Sequence, residues 1–294
     1  MCELFALSSL HPATVRLSFE EFSRHGGLAG PHKDGWGIAF YDGRDVRLLR
    51  EPEPASESAC ARLIRDQSPA STTVLSHIRK ATRGAPGLSN CQPFGRELAG
   101  RMHVFAHNGN LDPRALQARF RLGSYRPIGE TDSEHAFCAL LERMRPLWFD
   151  ARGVPELADR IRIVADFAAS LRPLGPANFL YADGDAVFVH GHKRTHADGV
   201  HPPGLHVLER SCPAARARFE AAGLAIESIH DRQEVVLAAS VPLTANEPWQ
   251  PLAEGELIAV QRGRIVTRVA PGPADIDANP FAGGRTRRHR NQAK

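Results

Sequence analysis

Three pairs of short apolar runs, each joined across a tight turn, constrain this chain more than anything else in it. Residues 36–41 and 45–49 flank Asp42-Gly43-Arg44, residues 177–182 and 186–190 flank Asp183-Gly184-Asp185, and residues 257–261 and 264–268 flank Arg262-Gly263. Alternating apolar residues around a glycine-containing turn read as β-hairpins. Further strands are read at 2–7, 72–77, 103–107, 205–208 and 234–239. Helical patterning occupies 18–23, 56–66, 135–144 and 156–171. Hairpins fix antiparallel neighbours, so the chain is expected to form two mixed or antiparallel sheets with helices packed outside them, in one domain spanning residues 2–270.

At 294 residues the chain can bury a substantial core. Its formal charge of +4 could suggest nucleic acid. Arg285, Arg287, Arg288, Arg290 and Lys294 cluster at the end, however, and without them the body is close to neutral. Residues 271–294 are therefore read as a Pro/Gly-rich, then Arg-rich, disordered tail, and no nucleic-acid partner is expected. No apolar run is long enough for a membrane span and no signal-peptide pattern opens the chain, so no membrane partner is expected and the protein reads as cytoplasmic. The five cysteines, Cys2, Cys60, Cys91, Cys138 and Cys212, are scattered without a CxxC pair. That pattern argues against a disulfide framework and a structural zinc site. No metal or cofactor is expected, and His190-Gly191-His192 reads as a strand end and turn.

Cys2 follows the initiator methionine. If Met1 is trimmed, Cys2 carries a free α-amine beside its thiol. The amine titrates near 7.7–8.0 and the thiol near 8.5, so the amine can take the thiol proton directly or through one water. A small buried hydrophobe at the start of a first strand accounts for Cys2 equally well on local grounds.

Other segments carry similar two-sided readings. The glycine-rich stretch 26–37 would let backbone approach a small ligand, and it lacks the ending of a phosphate-binding loop. Arg79 leaves the strand at 72–77 where a ligand could meet it, although a surface salt bridge is the plainer local reading. Asn108-Gly109 closes a strand as an ordinary turn would. The same pair can aim a side-chain amide and a backbone N–H at a developing oxyanion. Thr131 and Glu134 form a capping box for the helix that follows, and Asp132 in its first turn suits the helix dipole while remaining able to hold an ammonium group.

In order, Cys2, Arg79-Lys80-Ala81-Thr82, Asn108-Gly109 and Thr131-Asp132-Ser133-Glu134 resemble the class II glutamine amidotransferases. The resemblance extends through residues 30–37, 105–109, 129–134 and 242–250 and covers nearly the whole chain to about Val269. It is closest to the stand-alone, single-domain branch of that family. The resemblance implies an α+β fold, the four-layer αββα sandwich of N-terminal-nucleophile hydrolases. It implies that Cys2 attacks the amide carbon of glutamine, that Asn108 and the Gly109 N–H hold the oxyanion, and that Arg79, assisted by Thr82, holds the α-carboxylate. Asp132 would hold the α-ammonium. The chain departs from the family pattern at Lys80, Arg83 and Cys91-Gln92.

Three activities fit these expectations. One is a glutaminase that passes ammonia to a separate partner protein. Another is a hydrolase of γ-glutamyl amides or peptides, and the third is a subunit that only binds the amino acid.

Overall fold

The computed structural model describes residues 2–17, 34–67, 69–81, 84–212, 217–221, 224–228, 232–244 and 246–271. The helix expected at 18–23, residues 26–33 of the glycine-rich stretch, Thr82 and nearly all of the expected tail lie outside these residues. In chain order come β1 (Glu3–Leu17), β2 (Trp36–Asp42), β3 (Asp45–Glu51), α1 (Ala59–Asp66) and β4 (Ala70–Ile78). Next are β5 (Phe94–Leu98), β6 (Arg101–Gly109), α2 (Pro113–Arg119), α3 (Asp132–Asp150), α4 (Leu157–Leu171), β7 (Ala177–Ala182) and β8 (Val187–His190). Then follow β9 (Arg194–His196), β10 (Gly199–His201), β11 (His206–Cys212), β12 (Ala217–Ala221) and β13 (Leu224–Ser228). The last strands are β14 (Gln233–Ala239), β15 (Gln250–Pro251), β16 (Leu257–Gln261) and β17 (Arg264–Val269).

Two large antiparallel sheets result. The first runs β15-β11-β14-β1-β4-β2-β3, with β13 and β12 continuing from the far half of β1, and the second runs β17-β16-β8-β7-β6-β5. The three expected hairpins form as β2–β3, β7–β8 and β16–β17. The short ribbon β9–β10 stands apart from both sheets and carries no apolar pattern that would announce it.

Period-two alternation explains why these sheets stack. In β1, Leu4 and Ala6 join a cluster with Val104 and Ala106 of β6 and Leu180 of β7. Phe5 and Leu7 point the other way, toward Ala61 and Ile64 of α1. The second sheet does the same: Phe105, Phe179 and Tyr181 turn outward onto Phe137, Leu140 and Met144 of α3 and Val164 and Phe167 of α4. Phe105 and Phe137 stack with centroids 5.4 Å apart. The layers are therefore helix, sheet, sheet, helix, the expected αββα sandwich. Each fully buried Phe or Leu contributes roughly 1.5–3 kcal/mol relative to exposure.

Local signals set the helix starts. Ser58 accepts from Ala61 N at 2.8 Å and caps α1. Asp112 accepts from Arg114 N and Ala115 N and caps α2 ahead of Pro113. Thr131 accepts from Glu134 N at 3.2 Å and caps α3. The expected capping box is only half made, because the Glu134 carboxylate turns away to Arg96 and to the Gly129 N–H.

Arg160 of α4 is buried and locks the β7–β8 turn. Its Nη1 donates to Asp183 Oδ2 at 2.7 Å and its Nη2 to Asp185 Oδ2 at 2.7 Å, while Asp183 Oδ1 accepts from the Asp185 and Ala186 N–H groups. Among the described residues no helix is long and apolar enough to cross a membrane, and no group of His, Cys, Asp or Glu is placed to hold a metal.

Removing one partner of a buried pair strands the other charge, so Asp183→Ala should cost about 3–5 kcal/mol in denaturant unfolding. Burial also holds His190 down to about 3 and His103 to about 4. Each stays neutral in the folded chain while the unfolded chain protonates near 6.5, so stability is lost as pH falls below that value. His190→Asn should remove about 2 kcal/mol from the stability difference between pH 7 and pH 5 in urea titrations.

Candidate active site

Antiparallel register gathers the functional residues at one end of the sandwich. Glu3 pairs with Ile78, which ends β4, and Phe5 pairs with Ala239, which ends β14. Cys2 is thereby flanked by Arg79-Lys80 on one side and Ser240 on the other. The second sheet brings Asn108-Gly109 at the end of β6 over the same edge, and α3 starts there with Asp132.

The Cys2 sulfur meets the Lys80 backbone, receiving its N–H at 3.3 Å and donating to its carbonyl at 3.3 Å. Burial pushes the thiol pKa up. The Lys80 N–H and the Arg79 charge pull it down, and the Asp132 charge raises it further. Both ends of the expected amino-acid clamp thus act electrostatically on the sulfur.

Asn108-Gly109 is not a turn: both residues are still paired in β6, with Asn178 and Ala177 opposite. The Asn108 amide donates to the Cys2 carbonyl at 2.6 Å and to Ser240 Oγ at 3.3 Å, stitching the two sheets together at the nucleophile. Its side chain therefore faces the Cys2 backbone. Gly109 is required by space, since a Cβ there would sit 1.8 Å from the Pro176 oxygen.

Arg79 is buried rather than at the surface, with 3 % of its area exposed. Its guanidinium donates to the carbonyls of Asp34 at 3.2 Å, Gly84 at 2.9 Å and Ala85 at 3.5 Å. Asp34 in turn accepts from the Ala81 N–H at 2.7 Å, and Gly35 O receives the Arg79 N–H at 2.8 Å. Residues 34–37 of the glycine-rich stretch therefore build the Arg79 loop. Cβ atoms at Gly35 and Gly37 would strike Cys91 Sγ at 2.7 Å and Gln92 O at 2.4 Å.

Asp132 is the first residue of α3, and its Oδ2 accepts from the Leu111 N–H at 2.7 Å. Cys2, Arg79, Asn108, Gly109 and Asp132 are thus brought together; Thr82 lies outside the described residues.

Several supporting residues were given no role by the sequence. Gln92 accepts from the His107 N–H at 2.6 Å and braces the strand that presents Asn108. His107 bonds Ser133 at the start of α3 at 2.9 Å, and burial lowers its pKa. Ser240 Oγ receives the Leu4 N–H at 3.0 Å. Asn178, fully buried, donates to the carbonyls of Asn108 at 3.0 Å and Lys193 at 2.7 Å. The available signals were the Cys91-Gln92 departure itself, the place of His107 and Ser133 in the matched stretches 105–109 and 129–134, and that of Ser240 just past an apolar run. By contrast, in residues 242–250 Trp249 Nε1 donates to Thr244 and Thr244 to Glu247, which also pairs with Arg210 of β11 at 2.7 Å.

The family model "Glutamine amidotransferases class-II" matches residues 1–278. YafJ of Escherichia coli is 36 % identical over 260 residues, covering 87 % of this chain and 96 % of its own. A predicted glutamine amidotransferase from Pseudomonas aeruginosa, solved as a crystal structure, is 33 % identical with a TM-score of 0.65, over 90 % of this chain and 99 % of that one. Glutamine phosphoribosylpyrophosphate amidotransferase from Bacillus subtilis shares the fold at 15 % identity and a TM-score of 0.57, covering 92 % of this chain and 49 % of that one. By its sequence over nearly its full length and by the sandwich that carries Cys2, the chain belongs to the class II glutamine amidotransferases.

Proposed function

We propose that this enzyme hydrolyses the side-chain amide of glutamine through a γ-glutamyl thioester on Cys2, exposed as the first residue by removal of Met1. The observation that carries the reading is that the guanidinium just after β4 and the carboxylate that opens α3 both act on the Cys2 sulfur, while the side-chain amide from β6 holds the Cys2 carbonyl. In this reading the unprotonated α-amine takes the thiol proton and later gives it to the departing nitrogen. Water then releases glutamate.

Arg79 takes the α-carboxylate, its guanidinium plane fixed by the carbonyl cradle of Asp34, Gly84 and Ala85. Asp132 takes the α-ammonium, with one carboxylate oxygen already anchored by the Leu111 N–H. An arginine and a carboxylate at fixed separation read an amino-acid end, and the side chain between them reaches the sulfur. Asn108 and the Gly109 N–H stabilise the oxyanion, the amide turning from the Cys2 carbonyl as charge develops. The ammonia released has no second domain in the described residues to receive it, and a separate acceptor protein is the partner this reading requires where the ammonia is used.

Treatment with 6-diazo-5-oxo-norleucine should give one adduct on a chain lacking Met1, and none on Cys2→Ala, as read by intact mass. An equally labelled Cys2→Ala variant, or turnover by protein that retains Met1, would refute the mechanism. Asp132→Asn should lower kcat/KM for glutamine about 10–100-fold, the worth of a hydrogen bond to a charged group. Because the Asp132 charge raises the thiol pKa, the same variant should be alkylated faster by iodoacetamide at a given pH. A fall in both rates would mean that the substitution damages the site as a whole.

A further inference from the structure

Asn90 lies between the segment that cradles Arg79 and the segment that launches Asp132. It ends the short turn at Leu88–Asn90, is buried, and its backbone N–H is bonded to Gly87 O at 3.0 Å. Its side-chain amide reaches both ways. Nδ2 donates to Ala85 O at 3.0 Å, and Oδ1 accepts from the Glu130 N–H at 2.9 Å. Ala85 O is one of the carbonyls that hold the Arg79 guanidinium, and Glu130 stands next to Thr131, the cap that starts α3 at Asp132.

We propose that Asn90 is a positioning residue that fixes the separation between Arg79 and Asp132, so that the site reads the α-carboxylate and the α-ammonium of glutamine together rather than either alone. This rests on the roles proposed above for Arg79 and Asp132.

Two glycines grip the amide, one from each segment. A Cβ at Gly84 would lie 2.8 Å from Asn90 Nδ2, and one at Gly129 would strike Asn90 Oδ1. Gly84 also has φ +73°, a conformation that favours glycine, and its carbonyl receives Arg79 Nη2. A side chain at either glycine would push the amide out of the gap. The amide is therefore fitted to both segments at once. An asparagine that only stabilised its own turn would have no need of a partner 40 residues away in sequence.

Distances decide which end depends on Asn90. A carbonyl oxygen has two lone pairs, so Ala85 O can take both donors. The Asn90 bond, at 3.0 Å, is of ordinary length, whereas the Arg79 bond at 3.5 Å is long and weak. Ala85 is thus held in the cradle mainly by Asn90. The other end is fixed independently: Glu134 takes the Gly129 N–H and pairs with Arg96, and Asp132 takes the Leu111 N–H. The start of α3 is the anchored end, and Asn90 brings the cradle to it.

The test compares glutamine with glutaramate, which is glutamine with the α-ammonium replaced by hydrogen, on the full chain lacking Met1. The expected kcat/KM ratio for wild type is about 10–100 in favour of glutamine, the range for a hydrogen bond to a charged group. In Asn90→Ala the ratio should fall about tenfold, because a displacement on the order of 1 Å forfeits much of what a positioned contact contributes. Asn90→Asp keeps the acceptor for the Glu130 N–H and loses the donor to Ala85, and should give an intermediate ratio. The charge it adds near Arg79 acts on the carboxylate that both substrates share and cancels in the ratio. A merely structural role would slow both substrates in proportion, so a wild-type ratio in an active Asn90→Ala enzyme would overturn the proposal. If the alanine variant does not fold, a wild-type ratio in Asn90→Asp overturns it instead. Equal wild-type rates on the two amides would mean that the α-ammonium is not read, which removes the role of Asp132 and the proposal with it. Failure of wild type to take up 6-diazo-5-oxo-norleucine at Cys2 would remove the mechanism itself, whereas an unchanged ratio in labelled enzyme removes only the role of Asn90.

Discussion

Both faces of the central strands of the two sheets are buried, and the rest of the molecule follows from that constraint. A strand with apolar residues on its two faces has no room along its length for an ionised or solvated group, because such a group would have to be buried without water. Polar function is driven to the strand ends, where the ladder stops and backbone groups need partners. Antiparallel order then brings the end of β4, the end of β14 and the start of β1 to the same edge. The facing sheet contributes the end of β6 over it. The site is a by-product of how a double-faced sandwich terminates.

At that edge the electrostatics are divided. Burial works against the ionised form of Cys2, as does Asp132, while Arg79 and the Lys80 N–H work for it. Burial likewise lowers the pKa of Arg194, against the Glu3 and Cys2 charges that raise it. The Cys2 sulfur thus lies in a field with cations on two sides and a carboxylate at the helix start. In the proposed mechanism, a thiol held mostly protonated at neutral pH gives up its proton at the moment of attack to the α-amine that removal of Met1 would free.

Much of the fold was legible because the signals were local. Alternation and the turn residues Asp42-Gly43-Arg44, Asp183-Gly184-Asp185 and Arg262-Gly263 located the hairpins, and Thr131 located the start of α3. The strand read at 2–7 proved to run through Leu17, since the His11-Pro12 interruption only shifts its register against β4. The ribbon β9–β10, with three residues to a strand and no apolar face, had nothing for periodicity to find. Site residues with a family motif, Cys2, Arg79, Asn108, Gly109 and Asp132, were identified by order along the chain. Their actual partners were not, because hydrogen bonds such as Asn108 to the Cys2 carbonyl or Asn178 to Lys193 join positions far apart in sequence and depend on register. The half-made capping box at Glu134 shows the same limit: a local pattern was correct until a distant arginine offered the carboxylate a stronger partner.

The separateness of the β9–β10 ribbon has an evolutionary consequence. It shares no ladder with either large sheet and is tethered near its root by Asn178, which is itself part of the core. Substitutions, insertions or wholesale replacement between residues 195 and 201 would leave the ladders of both sheets untouched. A lineage could therefore exchange this segment as a cassette while the sandwich edge that gathers Cys2, Arg79, Asn108 and Asp132 stays as it is.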